Sequence, residues 1–383
     1  MLPSACHCVA YTLTDPDFDL RPLRAKSILD TLRKLNLEGR LALVRATHLN
    51  DYIAVLREIG APVDRDLARS PLPPRIEETP DLYVNIPVAL EWIARTGHDL
   101  NPMELGFLAA QKASLASLRP AQQAAIMTAQ TGLQRLEALV DISRYEDSAL
   151  EMSIRHEGDD VRVVCTMPGL NRHVFICLAE WLNLQAIISV IRSVVSASWC
   201  PDELCFISRG CPPEAVYAAF PNTRILLSQP HTSVSVARAD LVRPTFDVIP
   251  STRNTLESLS SEDGQSGWEF ISLLRMMVQP YLNDGRIDLT FAAEMTGIST
   301  RTLQRKLTLN GSSYSQVVKE ARFELARTHL AEPEMKIVDI AMMAGYESPQ
   351  HFSRAFRRFT GVTPSQYRKQ CGEDASREIR ASA

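Results

Sequence analysis

Two stretches in the last quarter of the sequence place arginine and glutamine where they could share a helix face. The first holds Arg301, Gln304 and Arg305. The second, 49 residues on, holds Gln350, Ser353 and Arg354, with Arg357 and Arg358 directly after it. An exposed guanidinium or carboxamide offers two hydrogen-bonding atoms in one plane. That is the chemistry of bidentate contact with the edges of guanine and adenine in a major groove. A solvated charged face would give the same pattern on a single helix. The elements around the two stretches decide between these readings.

Each stretch is preceded by the same unit. Ala293-x-x-x-Gly297-x-Ser299 is echoed 48 residues later by Ala341-x-x-x-Gly345, and Leu303 and Leu307 are echoed by Phe352 and Phe356. The extra residue falls in the second turn, Gly345-Tyr346-Glu347-Ser348. A helix, a glycine turn and a second helix, repeated, is a duplicated helix-turn-helix. Small alanines let the helices cross closely, and the glycines suit a turn with positive φ. Ser299 and Ser348 stand where an N-cap satisfies the first free amides, and Pro349 takes the favoured first helical position. Leu303 and Leu307 then point to a core while Arg301 and Arg305 point away from it. In the second unit Phe352, Phe356 and Phe359 form the expected inner stripe, opposite Gln350, Arg354 and Arg358. Two matching copies favour reading heads over a merely solvated face. Tyr314, Val317, Val318, Ala321, Leu325 and Leu330 mark an amphipathic connector between the heads. Heads on one face of DNA should lie about one helical turn, ~34 Å, apart.

Charge divides the chain in the same place. From Trp268 to Gln370 there are 14 Lys and Arg against 10 Asp and Glu, a net of +4, which leaves −8 for the rest of a chain whose total is −4. Between Pro250 and Gly267 lie five serines, two threonines, two glycines and no aromatic residue, the composition of a tether. The expected division is a body over 1–249, a linker over 250–267, a double helix-turn-helix domain over 268–370 and a tail over 371–383. At 45% apolar and 22% charged residues the chain is globular in composition. It has no run of the ~18 apolar residues that a membrane span needs, and its first residues lack a signal peptide's basic start. Eight cysteines without a C-x-x-C pair read as reduced thiols, and the expected location is cytoplasmic.

Within the body, 40–145 reads as mostly helical, with the proline-rich Ser70–Pro87 segment as a wrapped loop. From 149 the period changes to two: Leu150, Met152 and Ile154, a turn, then Val161, Val163 and Cys165, which is a β-hairpin. A long helix over about 174–195 follows. Next come a strand near 204–207, a short helix after Pro213, and strands near 223–228 and 232–237. The order ββαβαββ predicts an α+β domain joined to an all-α domain with two helix-turn-helix units.

The stretch from Leu273 to Lys369 resembles the DNA-binding domain of the AraC/XylS family of bacterial transcription regulators. The resemblance rests on Ser299-x-x-x-Leu303-Gln304-Arg305-Lys306-Leu307, the Arg322 to Leu330 connector, Ile340-Ala341 and Gly345-Tyr346. It continues through Phe352-Ser353-Arg354-Ala355-Phe356-Arg357-Arg358-Phe359 and Thr360-Gly361-x-Thr363-Pro364-x-x-Tyr367-Arg368. Tyr346 stands where the family more commonly has phenylalanine. The resemblance implies base contacts from Arg301, Gln304, Arg305, Gln350, Ser353 and Arg354, with Arg357 and Arg358 on the DNA backbone. The N-terminal part is similar to the subgroup with an arabinose-binding-like effector domain, through Tyr52 to Ile59, Ile86-Pro87 and the closing strands to Pro244. Promoter DNA, RNA polymerase and a small-molecule effector are the implied partners, with activation as the expected mode and homodimerisation through the body left open.

Other chemistries find less support. No G-x-S-x-G, Walker or dinucleotide fingerprint occurs, so no enzyme activity and no cofactor are expected. Cys200, Cys205 and Cys211 match no common zinc spacing and read as free thiols; Cys6-His7-Cys8 is a denser cluster in a tail, and no metal is expected. Two alternatives stay open: a ligand-independent dimeric regulator, and a DNA-repair alkyl-transfer module fused to the same reader.

Overall fold

The computed structural model describes residues 41–242, 270–283, 287–332 and 334–370. The predicted linker 250–267, the tail 371–383 and Cys6-His7-Cys8 lie outside the described residues. The first half contains β1 (Leu43–Arg45), α1 (Asn50–Glu58), α2 (Val63–Ala68), β2 (Tyr83–Asn85), α3 (Ile86–Thr96), α4 (Pro102–Lys112), α5 (Pro120–Met127) and α6 (Gly132–Glu146). Then follow β3 (Glu151–Glu157), β4 (Asp160–Thr166), α7 (Ile176–Arg192), β5 (Glu203–Cys205), α8 (Glu214–Ala219), β6 (Arg224–Leu226), β7 (Thr232–Ala237) and the short α9 (Arg238–Leu241).

The expected order ββαβαββ is present from β3 to β7. The hairpin turns at Gly158-Asp159, and the five strands lie in the order β3-β4-β7-β5-β6, antiparallel except for the parallel β5–β6 pair. Helix α7 crosses this sheet and carries Trp181, which meets Phe107 and Phe206 with ring centroids 5.1 and 4.9 Å apart. The buried Glu180 carboxylate on α7 accepts hydrogen bonds from the Ile207 and Ser208 amides and the Thr232 hydroxyl, which ties helix to sheet.

One segment differs from the sequence reading. Ser70–Pro87 is not all loop: it holds a 3-10 turn at Ile76–Glu78, the strand β2, and the start of α3. Proline is tolerated here because Pro87 falls in the first turn of α3, where its missing N–H is not needed. Strand β2 pairs antiparallel with β1, matching Leu43 to Asn85, Val44 to Val84 and Arg45 to Tyr83. Ser148 holds the other edge of β1, accepting from the Leu43 amide at 2.8 Å and donating its own amide to the Leu43 carbonyl at 2.8 Å.

Alternation along the strands gives this ribbon two faces. Val44 and Val84 turn into the core of the α+β half. Leu43 and Tyr83, with Leu41 just before the strand, join the core of the helical half beside Leu273, Leu274 and Val278.

The helical half comprises α10 (Phe270–Val278), α11 (Leu289–Thr296), α12 (Thr300–Leu309), α13 (Tyr314–Leu330), α14 (Ile337–Met343) and α15 (Pro349–Thr360). Helices α11 and α12 form the first helix-turn-helix unit, α14 and α15 the second, and α13 is the 17-residue connector. A smaller cluster of Ala326, Leu330, Ile340, Ala341, Phe352 and Phe356 fills the second unit.

Both turn glycines adopt the left-handed conformation, Gly297 at φ +66° and Gly345 at +72°, but their surroundings differ. A Cβ at Gly297 would meet only the Asn85 Oδ1, at 3.5 Å. At Gly345 it would fall 1.9 Å from the Leu282 carbonyl oxygen. Gly297→Ala should therefore cost about 1–2 kcal/mol of left-handed strain. Gly345→Ala should cost at least about 3 kcal/mol, because a backbone clash adds to the same strain. Thermal melts of the two full-length variants check this order.

Candidate nucleic-acid interface and effector cavity

The two second helices start as the sequence predicts. The Ser299 hydroxyl accepts from the Thr302 amide, and the Ser348 hydroxyl from the His351 amide, each at 3.2 Å. Leu303, Leu307, Phe352 and Phe356 are buried, as are Ala293 and Ala341 on the preceding helices. These stripes set the rotation of α12 and α15. Arg301, Gln304 and Arg305 are consequently exposed on one, and Gln350, Arg354, Arg357 and Arg358 on the other, with Ser353 half-buried between them.

Phe359 departs from the expected inner stripe, being 46% exposed. The core under α15 is closed by Phe323 and Tyr367, so the last turn runs past it and Phe359 lies on the rim, its ring 4.6 Å from that of Phe323. The connector helix adds groups that the sequence reading did not single out. Gln316, Lys319 and Arg322, each three residues apart, line a groove with Arg354 and Arg358. The signal was the polar row opposite Val317 and Ala321. Arg322 stacks 5.1 Å over the Tyr346 ring, so tyrosine in place of phenylalanine keeps an aromatic face there.

A second site lies in the α+β half. A cavity of about 120 Å3 opens between α1, α3, α6, α7 and the start of β3. Its floor is apolar, from Val44, Leu49, Ile86, Ala89, Leu90, Ile93, Leu139 and Ile142. One side is the half-buried row Leu182, Asn183, Ala186 and Ser189 of α7.

One end of the cavity carries charge. Arg45 Nη1 donates to both oxygens of Glu146, at 3.0 and 2.8 Å, while His48 Nε2 lies 2.9 Å from Oε2 and Gln122 Nε2 donates to Oε1 at 2.8 Å. Burial pushes the Glu146 carboxyl up, but the His48 hydrogen bond and charge, with Arg45 and Gln122, outweigh it and hold the pKa below the ordinary value. Asp147 next to it accepts, among the described residues, from the Ala149 and Leu150 amides, at 2.7 and 3.0 Å. Burial dominates there and raises its pKa to about 6.

Residues 292–370 match a helix-turn-helix domain family, and residues 60–245 match the arabinose-binding domain of AraC transcription regulators, N-terminal. Over 86 residues the chain is 38% identical to the regulatory protein SoxS of Salmonella typhimurium, covering 22% of this chain and 80% of that protein. The chain belongs to the AraC family of transcriptional regulators. It is also 24% identical over 332 residues to the HTH-type transcriptional regulator VirS of Mycobacterium tuberculosis, covering 85% of this chain and 96% of VirS. The solved transcriptional regulator CdpR of Pseudomonas aeruginosa aligns with 84% of this chain and 96% of its own, at 18% identity and a TM-score of 0.38. As an AraC-type regulator the chain binds DNA through its helix-turn-helix domain, and its family is one of transcription regulators rather than enzymes.

Among the described residues no three His, Cys, Asp or Glu side chains gather as a metal site, and no helix is long and apolar enough to cross a membrane. Cys205 is buried in β5, Cys200 is half-buried and Cys211 is exposed.

The raised pKa of Asp147 has a testable consequence. A carboxyl that binds its proton more tightly when folded loses stability as pH rises from its unfolded value, near 4, to about 6, and the penalty is complete above that. Asn keeps the acceptor for both amides without the charge. Asp147→Asn should raise stability by about 1–3 kcal/mol at pH 8 and by almost nothing at pH 4. Denaturation of both proteins at the two pH values reads this difference.

Proposed function

We propose that this AraC-family regulator is a sequence-specific activator whose DNA affinity or geometry is set by a small effector in the α+β cavity. In this reading 268–370 is the reader and the body up to 249 is the sensor and dimerisation domain, joined to it by the 250–267 tether. Arg301, Gln304 and Arg305 read bases in one major-groove segment, and Gln350, Ser353 and Arg354 read them in the next. Arg357 and Arg358 hold phosphates, and RNA polymerase is the partner of the bound complex.

The observation that carries the effector part is the cavity itself. A ligand-independent body has no need of an apolar chamber with a half-exposed wall. Its volume is that of a small ring or branched chain; an engineered cavity of about 150 Å3 binds benzene. Asn183, Gln185, Ser114 and Ser189 supply polar groups on its lining. The effector is therefore a compact apolar molecule with one polar end. A sugar, whose every hydroxyl needs a partner once buried, suits this floor poorly.

The reading heads are tested by substitution on an operator selected from random DNA with the full-length protein. Arg305→Ala and Arg354→Ala should each lose about 1–3 kcal/mol of discrimination at one base pair. Arg358→Ala should weaken all sequences alike and lower the salt slope by about 1. Unchanged footprints in all three would refute the assignment. A screen of small metabolites for thermal stabilisation of the full-length protein tests the effector.

A further inference from the structure

Asn85 is the last residue of β2 and the cap of α3, and both ends of its side chain are engaged. Its Oδ1 accepts from the Val88 amide at 3.2 Å, which caps the helix that supplies Ile86, Ala89, Leu90 and Ile93 to the cavity. Its Nδ2 donates to the Thr296 carbonyl at 3.3 Å. Thr296 is the last residue of α11, directly before the left-handed Gly297 that sets the turn of the first reading head. One buried carboxamide thus joins the end of a cavity-wall helix to the turn that aims α12.

The ribbon around it repeats the connection in apolar contacts. Val44 lines the cavity, while its neighbour Leu43 is buried in the core of the first head. A second hydrogen bond across the same interface runs from the Tyr281 hydroxyl to the Pro71 carbonyl at 2.8 Å. Beside this bond the gap left among Pro71, Tyr83, Met277, Tyr281 and Met295 amounts to about 10 Å3, so the two halves pack closely there. A displacement of α3 or β1 therefore has little slack to take it up before it reaches α11.

We propose that Asn85, seated on the two-faced ribbon, couples occupancy of the cavity to the orientation of the first helix-turn-helix unit. The proposal rests on the reading of the cavity as the effector site. Asn85 acts as a positioning residue and touches neither effector nor DNA. A ligand that moves α3 shifts the cap, and the Nδ2 hydrogen bond carries the shift to the Thr296–Gly297 turn. The second head, whose core is separate, is expected to move less.

The test is a double-substitution cycle on operator affinity, measured with the full-length protein. Ala186→Trp places an indole into the cavity from its half-buried wall and serves as a fixed occupant; Ser189→Phe does the same from the next turn should the first variant fold poorly. Asn85→Ser keeps a good helix cap but is too short to reach Thr296. In the Asn85 background the filled cavity should change the operator Kd by roughly fivefold or more, the range of ordinary coupling between sites. In the Asn85→Ser background the same filling should change it by less than about twofold. A purely structural role for Asn85 would shift both Kd values equally and leave the cycle additive. An additive cycle, or no effect of filling in either background, overturns the proposal. Failure of the effector reading is seen separately: thermal stabilisation by an active metabolite would then survive in Ala186→Trp.

Discussion

Neighbouring side chains on a strand point to opposite faces, and the three-residue strands β1 and β2 use this to serve two cores at once. Val44 and Val84 belong to the α+β half, and Leu43 and Tyr83 to the helical half. A one-residue slip of the pairing would turn both sets inside out. Register is held from three sides, by β2, by the Ser148 clamp on Leu43, and by the Arg45–Glu146 pair. Because Leu41 and Leu43 fill the core around α10 and α11, the first helix-turn-helix unit is built partly on residues more than two hundred positions upstream. The α+β half and the helical half share a wall as well as a chain.

The two helix-turn-helix units are thus alike in surface and different in foundation. Both expose arginine and glutamine because a buried stripe fixes the rotation of α12 and α15, and both start on a serine cap. The second unit has its own aromatic core, and its turn is pressed against the segment between α10 and α11 at the Leu282 carbonyl, where only glycine fits. The first head leans on the ribbon instead. Buried charge follows the same division. Glu146 is held ionised by Arg45, His48 and Gln122 at the edge of the cavity, while Asp147, with two amides for donors, is pushed towards its neutral form.

What could be read in the sequence was local. Caps, turn glycines and apolar stripes act over one or two helical turns, so Ser299, Gly297, Leu303 and their counterparts declared both the helices and their outward rows. The β3–β4 hairpin was legible for the same reason, through strict alternation on either side of Gly158-Asp159. The ribbon was not. Strands of three residues carry almost no periodic signal, β2 lies in a proline-rich stretch, and the Asn85–Thr296 bond joins residues 211 apart. Phe359 has the spacing of a buried residue but falls beyond the end of the core that would bury it. The cavity was out of reach because its walls come from five segments, each of which reads alone as ordinary core.

The central claim is that two exposed helix rows on one rigid connector read successive turns of DNA. Dimethyl sulfate protection of an operator selected with the full-length protein tests it directly, since the reagent marks guanine N7 in the major groove. The account predicts two protected major-groove patches per protein, on one face of the duplex and about 10–10.5 base pairs apart, centre to centre. The Arg305→Ala variant should lose protection in one patch alone and Arg354→Ala in the other. A single protected patch, or loss of both patches from either substitution, would contradict it.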